Sequence, residues 1–184
     1  EVIKQINNAF PNITLLVDSN DKYTLHDTIN FLKGIGDIPL LWIEEPFREN
    51  YEEGKKLRKW MDENGFKNTL YADGEANRNH ELCLRMGKED IMNVYLADIR
   101  SFGFTRWRKL MGELKSYKIL ASPHAFGNML KTHYITHIAA AFGNVITIEG
   151  VTCLSDDIEF GNYKIINGKI NVSDSPGFGM RILK

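Results

Sequence analysis

The feature that most constrains the fold is a regular alternation of short apolar runs with longer, more polar stretches. Six runs share this pattern, and they are ITLLVDSN, PLLWIEEP, TLYADGE, IMNVYLAD, YKILASPH and NVITIEG. Their polar ends recur at intervals of about 25 residues, which is the length of one strand, one helix and two connecting loops. The sequence therefore predicts repeated βα units with a parallel sheet.

Each of these runs ends in a residue that can do chemistry. The six ends are Asp18, Glu44, Glu75, Asp98, His124 and Glu149. Parallel strands of a βα barrel present their carboxyl ends to one face, where the active sites of such barrels lie. We therefore expect five carboxylates and one imidazole around a single pocket. A purely structural sheet has no need of acids there, so the pattern indicates part of an enzyme.

Two architectures use alternating strands and helices, and the turn after the first run separates them. A doubly wound nucleotide-binding sheet usually has a glycine-rich turn at that point, whereas this chain has DSND. The acids at several strand ends favour the TIM-type (β/α) barrel. A full barrel has eight strands and six are found, so we expect strands three to eight, with two further strands preceding residue 1.

The barrel portion is predicted to cover residues 1–157. The stretch 158–184 is richer in Gly, Asn and Asp, and is expected to form an irregular C-terminal extension. Within it, Asn167-Gly168 lies between two β-prone runs and predicts a small hairpin.

Strand alternation places the first three acids on one face. Asp18, Glu44 and Glu75 end three consecutive strands, which lie ~4.8 Å apart in a sheet, so their oxygens can converge on one cation. Three oxygen ligands, without a Cys or His set, are typical of Mg²⁺. Glu45 is expected to point the other way. The alternative is that some of these residues are acids of surface loops.

Several short motifs, in this order, resemble the barrel of the enolase superfamily, with the order of its mandelate racemase-like subgroup. They are VDSN, WIEEPF, ADGE, the Asp that ends the next run, SPHAFGN, IEG and the closing PGFG. The likeness covers essentially the whole chain. The lysine expected on the strand of Asp98 in the muconate-cycloisomerase-like subgroup is not there.

The resemblance implies a role for seven positions. Asp18, Glu44 and Glu75 match magnesium ligands, Asn20 a residue that approaches substrate, Asp98 and His124 an Asp–His dyad, and Glu149 an acid that hydrogen-bonds the substrate carboxylate. Asp73 is an alternative to Glu75 as a ligand, although the spacing of the motif favours Glu75. The resemblance also implies a capping domain and a lysine-bearing strand, neither of which lies in the 184 residues.

The implied chemistry is abstraction of a proton beside a carboxylate, with an enediolate stabilised by Mg²⁺. Histidine side chains in general titrate near neutrality, and an Asp partner would fix the tautomer of His124, so His124 is the candidate base. Glu149 would donate a hydrogen bond, or else be a packing or salt-bridge acid. We expect a lyase that dehydrates an acid sugar. The alternatives are a hydroxy-acid racemase or epimerase, and a non-catalytic fragment of such an enzyme.

Composition narrows the partners. The net charge is −1 and charged residues make up 26% of the chain, so nothing favours nucleic acid or an anionic membrane. Cys83 and Cys153 have no metal or redox spacing, which favours buried thiols in a reducing, cytoplasmic compartment. We expect a small carboxylate substrate, the missing N-terminal segment of the same enzyme as a partner, a homo-oligomer, and an inactive chain when isolated.

Overall fold

A computed structural model describes residues 1–75, 79–127, 129–150 and 156–183. The chain divides into two compact units, Glu1–Leu96 and Ala97–Lys184. The predicted boundary after residue 157 falls inside the second unit and stays a prediction. No helix within the described ranges is long and apolar enough to cross a membrane.

The first unit alternates helices and strands as the spacing predicted. Its elements are α1 (Val2–Ala9), β1 (Leu15–Asp18), α2 (Leu25–Ile35), β2 (Leu40–Glu44), α3 (Tyr51–Glu63), β3 (Leu70–Asp73), α4 (His80–Lys88) and β4 (Val94–Tyr95). The four strands pair in chain order, and each pair is parallel. The prediction of an α/β fold is confirmed, and the order reversal of a doubly wound sheet does not occur among these four strands.

Polar side chains cap the N-termini of α2, α3 and α4. Thr24 accepts a hydrogen bond from the backbone N–H of Asp27, whose carboxylate accepts from Thr24 in return. Asn50 and Asn79 cap α3 and α4 in the same way through their side-chain oxygens. Such caps satisfy N–H groups that have no partner within the helix, each with about 1 kcal/mol of stabilisation.

The core of the first unit lies between the strands and their helices. Leu15 and Ile43 of the sheet belong to the same buried cluster as Leu32 of α2 and Leu57 and Met61 of α3. Fully burying an aliphatic side chain of this size stabilises the fold by about 1.5–3 kcal/mol. This packing fixes the strands, and with them the direction in which their carboxyl ends face.

In the second unit, one short strand lies between two of the helices and the other short strands follow the last helix. Its elements are α5 (Ile99–Phe102), α6 (Phe104–Ser116), β5 (Leu120–Ala121), α7 (Met129–Phe142), β6 (Ile158–Glu159), β7 (Ile165–Ile166), β8 (Lys169–Ile170) and β9 (Arg181–Ile182). Strands β7 and β8 form an antiparallel pair, which confirms the predicted hairpin. Asn167 and Gly168 have φ values of 52° and 72°, the left-handed conformation that this turn requires.

The sixth predicted strand is much shorter in the structure than in the sequence pattern. Only Val145 of NVITIEG takes part in β pairing, in an isolated parallel bridge to Ala121. Strand β5 spans two residues, and residues 146–150 are not in a strand. The sixth run thus pairs in parallel at one residue only, and the predicted count of about six βα units stays a prediction.

Candidate functional site

The three acids predicted to bind a metal all lie at the carboxyl ends of strands in the first unit. Asp18 and Glu44 are the last residues of β1 and β2, and they are paired in register across the sheet. Glu75 follows the end of β3 by two residues. The strand ends thus place these residues on one edge of the sheet, as the spacing predicted.

Glu44 has an unusual electrostatic environment. Burial raises its pKa, and the negative charges of Asp18 and Glu75 raise it further, to about 8. A hydrogen bond from the indole Nε1–H of Trp42 to Glu44 Oε2, at 3.0 Å, opposes the rise only in part. The three acids therefore interact electrostatically and repel one another.

Asn20 is tied to Asp18. Its backbone N–H donates to Asp18 Oδ1 at 2.8 Å, and its side-chain amide donates to Asp18 Oδ2 at 2.6 Å. The left-handed backbone of Asn20, with φ of 49°, allows both contacts. In the structure Asn20 orients the Asp18 carboxylate, and its predicted approach to substrate stays a prediction.

The choice between Asp73 and Glu75 is clearer in the structure than in the sequence. Asp73 is buried, with Oδ2 accepting from the Tyr71 hydroxyl at 2.8 Å and Oδ1 accepting from the Gly74 N–H at 2.7 Å. Burial raises the pKa of Asp73 well above its usual range. Asp73 is almost fully buried, whereas Glu75 is partly exposed, so Glu75 is the better candidate ligand.

Glu45 lies one residue beyond the end of β2, where strand alternation no longer applies. Its φ is 39°, and its carboxylate Oε1 accepts from the backbone N–H of Glu75 at 2.9 Å. The charge of Glu45 also acts on Glu44. Strand alternation predicted that Glu45 points away from the other acids. That prediction fails because the strand ends at Glu44.

The donor chemistry of these acids suits Mg²⁺, which prefers carboxylate oxygens. The crowding that raises the pKa of Glu44 is the situation that a bound cation relieves. Within the described ranges, however, no three His, Cys, Asp or Glu side chains are arranged to hold a metal ion. Ligation by Asp18 would compete with its two hydrogen bonds from Asn20, so binding requires these side chains to rearrange.

The candidate proton-transfer residues lie in the second unit. Asp98 caps the N-terminus of α5, and its Oδ1 accepts from the backbone N–H groups of Arg100 at 2.9 Å and Ser101 at 2.8 Å. Its Oδ2 lies 3.2 Å from Nδ1 of His124. The N–H of Ile99 also donates to the His124 carbonyl at 3.1 Å. The start of α5 and its cap therefore contact both the side chain and the backbone of the histidine. The predicted Asp98–His124 pair is present.

Glu149 lies on the other side of the imidazole. Its Oε2 is 3.8 Å from His124 Nε2 and accepts from the backbone N–H of Ala125 at 2.5 Å. The hydroxyl of Thr132 donates to the Glu149 carbonyl at 2.8 Å. His124 therefore lies between two carboxylates. The contact with Ala125 uses Glu149 as an acceptor, and its role as a donor to substrate stays a prediction.

Lys131 joins this group from the first turn of α7. Its Nζ donates to Asp98 Oδ2 at 2.5 Å and to the Phe126 carbonyl at 3.2 Å. Burial acts to raise the pKa of Asp98, but the hydrogen bond from Lys131 and the N–H of Ser101 outweigh it and lower the pKa to about 2. Asp98 is therefore ionised at neutral pH.

Comparison with known proteins assigns the family. The family described as enolase C-terminal domain-like matches residues 1–184. The chain belongs to the enolase superfamily. The resemblance seen in the sequence motifs is thus confirmed, and the arrangement of acids and histidine described above belongs to a domain of that superfamily.

Individual relatives are enzymes. The o-succinylbenzoate synthase of Bacillus subtilis (strain 168) is 29% identical over 196 aligned residues, which cover 99% of this chain and 49% of that protein. The crystal structure of galacturonate dehydratase from Geobacillus sp., in complex with D-galacturonate and 5-keto-4-deoxy-D-galacturonate, matches with a TM-score of 0.87 at 30% identity, over 98% of this chain and 48% of that chain. A mutant of that dehydratase, in complex with Mg, has a TM-score of 0.85 at 29% identity, over the same shares. The chain spans about half the length of the relatives it matches.

Lys131 is the member of the group that sequence reasoning missed. The sequence did hold one signal, because a lysine in the first turn of a helix opposes the helix dipole. Such a residue needs a compensating partner, and the structure supplies Asp98. Of the two cysteines, Cys83 is a buried thiol, as predicted, and Cys153 lies outside the described residues.

Proposed function

We propose that the enzyme containing this chain is a Mg²⁺-dependent lyase that dehydrates an acid sugar. The observation that carries the proposal is the contact of 3.2 Å between His124 Nδ1 and Asp98 Oδ2. It gives the second unit a histidine paired with an acid, which is an arrangement that supports general acid–base chemistry. The similarity to a galacturonate dehydratase at 30% identity supports a sugar acid as the substrate class.

The tautomer of His124 follows from its partner. Asp98 is ionised, so it accepts a hydrogen bond, and His124 carries its proton on Nδ1. Nε2 then holds the lone pair and acts as the base toward the carbon beside the substrate carboxylate. Asp98 stabilises the imidazolium that forms, as the acid of a catalytic triad does.

Dehydration removes the proton from that carbon and the hydroxyl from the next carbon. The C–H electron pair forms the new double bond, and the C–O bond breaks. The hydroxyl leaves with a proton, as water. His124 is the residue that delivers this proton after accepting the first, and the enol that remains tautomerises to a 2-keto acid.

The acids of the first unit are proposed to hold the metal and orient the substrate. Asp18, Glu44 and Glu75 would ligate Mg²⁺, which when bound supplies Lewis-acid stabilisation of negative charge on a substrate carboxylate. Asn20 would approach the substrate beside Asp18. Glu149 would hydrogen-bond the substrate carboxylate.

Product analysis tests this proposal. The complete enzyme is incubated with Mg²⁺ and a panel of aldonic and uronic acids that includes D-galacturonate, and 2-keto acid formation is measured. Loss of activity on chelation, with recovery on added Mg²⁺, is the expected result. Deuterium exchange in D₂O without loss of water would instead show a racemase or epimerase. An absence of both reactions across the panel would reject acid-sugar chemistry.

A further inference from the structure

The carboxylate of Asp98 has two differently occupied oxygens. Oδ1 accepts from two backbone N–H groups at the start of α5, which belong to Arg100 and Ser101. Oδ2 contacts both the ammonium of Lys131 and the imidazole of His124. Asp98 Oδ2, which orients His124, thus also binds the ammonium of Lys131. No motif of the sequence indicated this lysine.

Lys131 is mostly shielded from solvent. Its side chain is 14% exposed, as is that of Asp98. An ammonium in such a place needs compensation for lost hydration. Asp98 and the Phe126 carbonyl supply it, and Phe126 follows His124 by two residues. Lys131 therefore links the cap of α5 to the loop that carries the histidine.

We propose that Lys131 is a positioning residue for proton transfer by His124. Lys131 holds Asp98 Oδ2 close to the loop that carries His124. Its positive charge also offsets part of the negative charge of Asp98, which would otherwise stabilise the imidazolium more strongly. The proposal rests on the proposed function, since it concerns the same proton transfer.

The charges around His124 predict the direction in which the pH profile of activity should move when Lys131 is replaced. Two ionisable side chains of the second unit contact this pair in the described residues: Lys131 from α7 contacts Asp98, and Glu149 from the stretch after Val145 contacts His124. Removing the charge of Lys131 leaves both carboxylates to stabilise the imidazolium. The base form of His124 then needs a higher pH, so the acidic limb of the kcat/KM profile moves upward, by about one pH unit.

Three substitutions separate the contributions of Lys131, all made in the complete enzyme with Mg²⁺. Lys131→Met removes the charge and the hydrogen bonds, and should lower kcat by about 10- to 100-fold with little change in KM while moving the acidic limb upward. Lys131→Gln keeps a donor without the charge, so it should move the limb by a similar amount with a smaller loss of kcat. Lys131→Arg keeps the charge and should return the limb to its original position.

Lys115→Met is the matched control. Lys115 also lies in the second unit and also donates to a backbone carbonyl, that of Phe142 at 2.9 Å, but it contacts neither Asp98 nor His124 in the structure. Its loss should leave the pH profile unchanged. A purely structural role for Lys131 would give lower stability in Lys131→Met with an unmoved acidic limb, and that result would overturn the proposal.

A second measurement does not depend on turnover. Carbon-13 NMR of labelled aspartate carboxyls, assigned with Asp98→Asn, follows the ionisation of Asp98 directly. Lys131→Met and Lys131→Gln should raise the pH at which Asp98 titrates, and Lys131→Arg should not. If no acid sugar is turned over but these shifts appear, the proposed substrate class fails and the coupling of Lys131 to Asp98 stands. An unshifted titration in both uncharged variants rejects the proposal whatever the substrate.

Discussion

Glu44 in the first unit and Asp98 in the second lie in opposite kinds of electrostatic environment. In the first unit, Glu44 is surrounded by further acids, and burial with their charges raises its pKa to about 8. In the second unit, Asp98 is bonded to Lys131, His124 and two backbone N–H groups, and its pKa falls to about 2 despite its burial. The hydrogen bond from Trp42 offsets the burial and repulsion at Glu44 only in part, whereas the hydrogen bonds to Asp98 outweigh its burial.

This contrast indicates which unit requires a bound positive charge to compensate its carboxylates. In the second unit Lys131 supplies the positive charge that compensates Asp98, so Asp98 and His124 can keep their arrangement without a bound ligand. The acids of the first unit repel one another until something positive binds among them. A cation site and a proton-transfer site have these respective properties, which is the division of labour we propose.

Removing the imidazole tests the second unit most strongly. In the complete enzyme, His124→Asn should lower kcat by about 10²- to 10⁴-fold, because the proton carrier is lost. Mg²⁺ affinity, measured by calorimetry, should stay nearly unchanged, because the imidazole is not a proposed ligand. His26→Asn, at an exposed position of α2, is the control. A large loss of Mg²⁺ affinity in His124→Asn would break the division between the two units.

Neutralising the acids of the first unit should instead reduce the affinity for Mg²⁺. Glu44→Gln or Glu75→Gln should weaken Mg²⁺ binding by about 100-fold or more, since even the loss of an outer-shell partner typically costs 10- to 100-fold. Glu63→Gln, at the exposed end of α3, should bind Mg²⁺ as the original protein does. Equal Mg²⁺ affinity in all three variants would show that these acids are not the metal site.

Two glycines allow a matched comparison of backbone strain between the units. Gly74 and Gly103 have φ values of 108° and 98°, but a Cβ on Gly74 would lie 2.7 Å from the buried ring of Tyr95, whereas one on Gly103 meets open space. Gly74→Ala should lower the free energy of unfolding by about 2–5 kcal/mol, and Gly103→Ala by about 1–2 kcal/mol. Chemical denaturation measures both, and equal losses would contradict the clash with Tyr95.

The pH dependence of stability should differ in sign between the two carboxyls. The pKa of Asp98 lies below its ordinary value of 3.8, so its contribution is present above that pH and is lost as the pH falls through about 2. The pKa of Glu44 lies above 4.5, so its contribution is present below pH 4.5 and is lost as the pH rises through about 8.

Thermal unfolding with a chelator present measures both effects. Asp98→Asn should flatten the acidic part of the stability profile, and Glu44→Gln should flatten the part between about pH 4.5 and 8. If both variants change the same part of the profile, the contrast between the two units is wrong.

Sequence reasoning located most of the elements because their signals are local. Apolar runs with polar ends predicted strands β1 to β5, and Asn167-Gly168 predicted the β7–β8 hairpin. At Val145, where the NVITIEG run predicts a strand, the structure has an isolated parallel bridge to Ala121, 24 residues away. Strand pairing needs a partner elsewhere in the chain, so its extent is not a property of the run itself.

The sequence by itself determined the chemical types at the strand ends and the family to which the chain belongs. The chemical types are read directly from the ends of the apolar runs, and the family follows from the resemblance of the motifs from VDSN to IEG, which the family model confirms. Only the tertiary structure decided how those side chains are compensated. Lys131 reaches Asp98 from 33 positions away, and Glu45 turns toward Glu75 after its strand has ended. Burial and charge act through space, so their partners depend on packing and not on spacing along the chain.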